Sequence, residues 1–395
     1  SRSSAASDVY KRQISLFIFY FYISSMTRSS FFHRISACLL FFLGVLLLNA
    51  CADEERKLPP TSPAGEGTSS QVLVLCQGNQ ATRLPGGYTL IDTEHQTVNH
   101  DAFLSVNGKL LGDAPQEAIQ HGAKIYIPCY GSNLVQVVDA ATHRLLRSIP
   151  TSTPEGVAAW GKYVFVSNND GNVSRIDTLS LTVDRTVAVG PNPVGVSTQD
   201  NYIYVAISDG YNYKEGYKQG FKVVKLHPNT LEQVGAIRVG MNPTRIYKDD
   251  FGHLFVACQG DYATHAAEIW RIDQKDQAAV FASANLAAVD GHRIYLVRST
   301  TDWSTGKTTV QYEVRDTRSG TTIASHFGQV QPPLDPTALA VDPRTKNIYV
   351  ASRGTLDPKT RFTEPGTVSV YNDNGDFLQR YNVGTEPCAL LFLRK

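Results

Sequence analysis

The residues of this chain that could do chemistry are aromatic, amide and guanidinium side chains in short polar segments. Tyr130 and Asn133 follow one apolar strand, and Asn168, Asn169 and Asp170 follow the next. Tyr211, Tyr213 and Tyr217 stand in an insertion at 209–218. Gln259, Tyr262 and His265 come next, then Arg298 and Trp303, then Arg353, Arg361 and Phe362. Tyr and Trp offer apolar area with a polar handle at low entropy cost. Arg pairs with carboxylate or phosphate or stacks on a ring, while Asn and Asp bond amides and hydroxyls. The mixture fits recognition of a bulky ligand bearing amides and a phosphate, and equally a glycan or a protein edge. The structural alternative is that these aromatics pack on one another and seal the fold. Catalytic patterns are missing: there is no Gly-x-Ser-x-Gly elbow, no phosphate-cradling Gly loop and no recognisable carboxylate pair. Asp261 and His265 share a loop but make an incomplete ligand set, so no metal is expected.

The elements that must position these segments are repeats. An apolar strand occurs seven times, from Val72, Ile125, Val164, Ile203, Leu254, Ile294 and Ile348, at gaps of 53, 39, 39, 51, 40 and 54 residues. A recurring unit of about 40 residues marks a β-propeller. Each unit adds a strand ending in Asp (Asp92, Asp139, Asp177, Asp273, Asp316), a third strand, and a Gly-x-x-Pro turn into a fourth, as at Gly190 to Pro193. No convincing amphipathic helix interrupts the strands. The repeated Asp residues are read as turn caps, since a catalytic group is needed once. Segment 387–392 has an inner-strand pattern with no blade after it. The fold class is therefore all-β, a seven-bladed propeller of four-stranded blades over 71–395, closed by a C-terminal inner strand joined to three N-terminal strands. Two smaller β domains are the alternative. Insertions largely account for the gaps of 51 and 54 residues, in units four and six, unit seven carries another at 353–365, and long loops on a rigid scaffold usually carry function.

Strand, turn, strand-with-Asp and Gly-x-x-Pro together resemble the YVTN-type, YncE-like propellers of bacterial surface proteins. The stretch from Asn107 to Gln116 is similar to a segment in lipoprotein propellers of Bacteroidota. That resemblance implies a surface lipoprotein beside an outer-membrane transporter of the TonB-dependent class, and in one subgroup the capture of cobalamin. The expected function is non-enzymatic binding of a corrinoid-like ligand, with no other cofactor. A protein-interaction or adhesion scaffold is one alternative, and a propeller hydrolase, lactonase or lyase is another.

The N-terminal segment stands apart. Residues 1–25 read as translated upstream DNA, with Asp8 to Gln13 matching a transposon adapter used in library preparation, so translation is expected to start at Met26. Residues 26–50 have the basic start and short apolar run of a signal peptide, and Leu48-Asn49-Ala50-Cys51 resembles a lipobox. Lipid on Cys51 is then the expected membrane anchor, with 51–70 an acidic and Pro-rich tether. The acidic cluster after Cys51 resembles a surface-export signal, and a periplasm-facing anchor is the alternative. From Cys51 onward the chain carries 32 Lys and Arg against 35 Asp and Glu, which gives no reason to propose nucleic-acid binding. Hairpin symmetry about Gly161 and Lys162 places Glu155 opposite Asn168, and the matching pair in the closing blade is Cys388 and Cys76. A disulfide stapling the ring is one expectation, and free, buried thiols are the other.

Overall fold

In this computed structural model, residues 68–302, 307–324 and 327–394 are described. Residues 1–25, the signal peptide, Cys51, the tether up to 67 and Trp303 lie outside them. The propeller belongs to a compact unit of Glu66–Thr300 and Thr308–Lys395; of the other unit, Ser1–Gly65 with Thr301–Lys307, only residues 301, 302 and 307 are described.

Blade three shows how sequence becomes a blade. Its strands are Pro154–Trp160, Tyr163–Asn168, Asn172–Asp177 and Thr182–Ala188. The second strand is β-branched and aromatic without alternation because both of its faces are covered. Val164 and Val166 pack toward Tyr126 and Val137 of blade two, whereas Phe165 packs toward Ile203 and Val205 of blade four. Seven four-stranded antiparallel sheets repeat this plan. Seven apolar clusters fill the spaces between successive blades, including one between blade seven and blade one. Blade one is the composite blade: Pro387–Arg394 pairs antiparallel with Thr68–Cys76, setting Leu391 opposite Leu73 and Leu390 opposite Val74.

The Asp residues ending the third strands cap turns on one face of the ring. Asp177 Oδ1 accepts the N–H groups of Leu179 and Ser180 at 3.0 and 2.9 Å, and Asp139 Oδ1 does the same for Ala141 and Thr142 at 3.1 and 2.8 Å. The polar loops and Gly-x-x-Pro turns share the other face. Thr68–Cys76 runs from the first face to the second: near its start Ser70 O accepts the N–H of Thr93 at 2.9 Å, and beyond its end Gln77 N–H reaches Glu386 O at 2.9 Å.

One helix goes beyond the sequence reading, Ala102–Asn107 between blades one and two. Phe103 turns inward and meets the Tyr88 ring edge-on at 6.2 Å. Asn107 ends the helix, donating to Phe103 O and His143 O at 2.9 and 3.0 Å, and Gly108 takes the left-handed C-cap. The helix is too short to show a helical period in the sequence.

The disulfide between Cys76 and Cys388 is not formed, and all four described cysteines are free. The reason is a bulge. Inner strands lose register just past their proline, between Pro154 and Val157, Pro193 and Val196, Pro243 and Arg245, and Pro336 and Ala338. In blade one the same slip sets Cys76 opposite Pro387. Cys76 then packs between blades seven and one, and Cys388 between blades one and two, on opposite faces of their sheet. Burial pushes the Cys76 thiol up to about 12, and Cys388 Sγ donates to Leu75 O and Pro115 O at 3.5 and 3.4 Å. Neither thiol is a ready nucleophile.

Candidate functional site at the loop face

A recurring backbone device fixes where the loops begin. The residue before the inner-strand proline is left-handed in five blades: Ala114, Thr153, Asn192, Asn242 and Glu386 have φ of 48°, 40°, 48°, 57° and 54°. This is unusual for a non-glycine residue, and more so before proline. The conformation turns each carbonyl toward the first loop residue of its own blade. Ala114 O accepts Tyr130 N–H at 3.0 Å, Thr153 O accepts Asn169 at 2.8 Å, Asn192 O accepts Ser208 at 3.1 Å, Asn242 O accepts Gln259 at 2.9 Å, and Glu386 O accepts Gln77 at 2.9 Å. Backbone strain is thus held at the rim of the channel, where the loops are anchored. Four of these residues stand inside a Gly-x-x-Pro turn of the repeat, which was the signal in the sequence that marks the rim.

Inside this rim lies a cavity of about 410 Å3. Of the residues singled out from sequence, Gln259, Tyr262, Arg353 and Cys388 line it, beside Gln77, Asn285 and Ser299. Gln259 Nε2 donates to Asn285 O at 3.1 Å, and Gln77 Nε2 to Gln116 Oε1 at 2.8 Å. Arg298 is exposed, one residue before Ser299. Tyr211 and Tyr262 are half-exposed at 53% and 51%, and Tyr211 hydroxyl meets Tyr130 hydroxyl.

Several expected binders are committed elsewhere. Arg353 donates from Nε and Nη2 to Glu386 at 2.5 and 2.8 Å and from Nη1 to Asp335 Oδ2 at 2.9 Å, and Arg361 donates to that same Asp335 oxygen. Burial opposes the Arg353 charge, but the Glu386 bonds and Asp335 outweigh it and raise its pKa. Phe362 lies under both guanidiniums, 4.9 Å from Arg353 and 5.2 Å from Arg361. Asn168 turns inward and donates to Ser174 Oγ at 2.7 Å. Tyr217 is buried, while Tyr213 stays partly exposed in the 3-10 turn Gly210–Glu215. Asn133 Oδ1 accepts Thr153 N–H at 2.9 Å, and Asp170 Oδ1 accepts Asn172 N–H at 3.2 Å. Asp261 collects the N–H groups of Ala263, Thr264 and His265, and His265 Nδ1 lies 2.8 Å from its other oxygen. Burial works against that carboxylate, yet the His265 bonds dominate and hold its pKa well below the usual range. Among the described residues, no group of three or more His, Cys, Asp or Glu is placed to hold a metal.

Deeper in the channel, a second cavity of about 220 Å3 is bounded by Glu117, Glu155, Arg245 and Tyr247. Arg245 lines both cavities, 3.6 Å from Glu117, and donates to Cys388 O at 3.2 Å. Two carboxylates share this one guanidinium. Burial pushes Glu155 up to about 7, against the pull of Arg245 and of a bond from Asn169. A carboxyl raised in the folded state keeps its proton where the unfolded chain has lost it. Stability is then full below the ordinary 4.5 and falls as pH rises toward 7. Urea unfolding across that window should show a loss of about 1–3 kcal/mol in the wild type that is clearly smaller in Glu155→Gln, where only Glu117 remains raised by burial. Equal pH slopes in the two proteins would refute the assignment.

Among the described residues, no helix is long and apolar enough to cross a membrane. No family model and no curated relative matches this chain. Among solved structures, it is similar to hydrazine synthase of Kuenenia stuttgartiensis, with TM-score 0.57 and 17% identity over 70% of this chain and 88% of that one. It is similar to a quinonprotein alcohol dehydrogenase-like protein of Bacteroides thetaiotaomicron, with TM-score 0.58 and 16% identity over 83% of this chain and 79% of that one. It also resembles the computationally designed Ika8 protein, with TM-score 0.51 and 14% identity over 83% and 92%. At these identities the likeness shows one thing, the β-propeller fold.

Proposed function

We propose that this protein is a non-enzymatic capture module of YVTN type. In this reading its loop face binds a corrinoid-like small molecule, and lipid on Cys51 anchors it at the outer membrane beside a transporter. The observation that carries the reading is the cavity of about 410 Å3 at the channel mouth, whose amide, hydroxyl and tyrosine groups come from several blades. Such concave sites with a few convergent polar groups are where small molecules bind. The charged groups at the mouth satisfy one another, and the nearby Cys388 thiol is buried and engaged with carbonyls, which favours holding a ligand over transforming it. A corrinoid would lie across the mouth on Tyr211 and Tyr262, with its amide arms reaching Gln77, Gln259 and Asn285.

Isothermal titration with cyanocobalamin tests this. One site per chain at micromolar affinity or better is expected, weakened at least about tenfold by Tyr262→Ala combined with Gln259→Ala. Absence of heat at micromolar concentration would remove the corrinoid. A second reading, a protein-binding face, is favoured by the exposure of Tyr211 and Tyr262 at the rim. It predicts a partner retained on the immobilised propeller and released by the same two substitutions.

A further inference from the structure

Glu155 does more than carry charge in the channel. The bulge after Pro154 takes Glu155 and Gly156 out of the ladder, freeing the side chain to turn inward. Glu155 Oε1 accepts a hydrogen bond from Asn169 Nδ2 at 3.1 Å. Asn169 Oδ1 in turn accepts from Asn192 Nδ2 at 2.9 Å. Asn192 is buried, and its Oδ1 accepts the backbone N–H of Tyr211 at 3.0 Å. Tyr211 lies near the start of the blade-four insertion and reaches the Tyr130 hydroxyl of blade two. The path thus runs from the channel to an exposed aromatic of the face through two amides in series.

An amide is a directional link, because its NH2 and its oxygen lie on opposite sides. An acceptor at Glu155 fixes which way Asn169 points. That leaves the Asn169 oxygen for Asn192, and the Asn192 oxygen for Tyr211. If either amide turns over, donor meets donor and the path breaks.

We propose that Glu155 is a positioning residue which sets, from inside the channel, the placement of Tyr211 and the blade-four loop. This rests on the reading that the loop face is the binding surface. An ionised carboxylate is roughly twice as strong an acceptor as a neutral one. The path is therefore tight when Glu155 is charged and slack when a proton occupies it. The charged and titratable groups around Glu155 are Glu117 at the blade-two inner strand, Arg245 from blade five, and the Tyr130 and Tyr211 hydroxyls above. Arg245 stays charged throughout, and both tyrosines are raised by burial; burial raises both carboxyls, and Glu155, at about 7, is the one bonded to Asn169.

Hydrogen exchange of the whole chain, without ligand, corrected for intrinsic rates and followed from pH 6 to 8.5, tests the path. Protection of the Tyr211 amide should rise about tenfold through pH 7 in the wild type. Glu155→Gln keeps an acceptor without the charge, and should hold Tyr211 near its low-pH protection at every pH. Asn169→Ala should abolish the pH dependence and lower the protection only in part, because Asn192 Nδ2 also donates to the backbone carbonyl of residue 169 at 3.1 Å. The Thr264 amide, held by Asp261 on blade five, is the internal reference and should not respond. General loosening of the fold would go the other way, since the whole protein loses stability as Glu155 ionises. A pH-independent Tyr211 amide in the wild type, or one that moves in step with Thr264, would overturn the proposal. A failed cobalamin titration would not, because no ligand enters the measurement.

Discussion

Arg353→Ala is expected to destabilise the propeller by about 3–5 kcal/mol, the usual result of removing one partner from a buried ion network. Arg353 lies between Glu386 of the blade-seven to blade-one junction and Asp335 at the entry of blade seven, and all three side chains are largely shielded from water. Without the guanidinium the Glu386 carboxylate loses both of its charged donors. Asp335 keeps Arg361. The asymmetry gives a control: Arg353→Met combined with Glu386→Gln removes both halves of the broken pair and should recover most of the loss. Urea unfolding followed by circular dichroism at pH 7 measures both proteins. A loss below about 1 kcal/mol for Arg353→Ala would mean that the network behaves like exposed ion pairs.

Ending the chain after Glu386 should have a still larger effect. The missing strand, Pro387–Arg394, is the inner strand of blade one and contributes Cys388 and Leu393 to the core between blades one and two. Its loss bares the edge of Thr68–Cys76 and the apolar faces behind it. A domain with about 5–15 kcal/mol of total stability cannot absorb that, so the truncated chain should lack a cooperative unfolding transition and aggregate. Moving the same eight residues to a position before Thr68, through a short linker, should restore folding, because the strand then pairs with its immediate neighbour. Soluble, cooperatively folding truncated protein would show that blade one does not need its inner strand.

The fold was legible because each apolar strand is covered on both faces and so reads as an unbroken hydrophobic run, repeated at blade spacing. Closure was legible from an inner-strand pattern left over at 387–392 and a first blade lacking one. The bulge was not legible: it adds no distinctive residue, yet it displaces the partner of Cys76 by one position and puts the two thiols on opposite faces. The loop positions were found by type, but type does not reveal partners. Arg353 and Arg361 look like ligand donors until Asp335 and Glu386 are seen to hold them, and both of those acids stand before a proline. The pre-proline position recurs from blade to blade and was the available clue to the rim.

The direction of the first strand has a bearing on how the whole ring is displayed. Thr68–Cys76 enters at the Asp-turn face and points its C-terminal end at the loops. The start of this strand therefore lies on the side of the ring opposite the polar loops. A label coupled at Ser70 would sit on that side and leave the channel mouth and its loops uncovered.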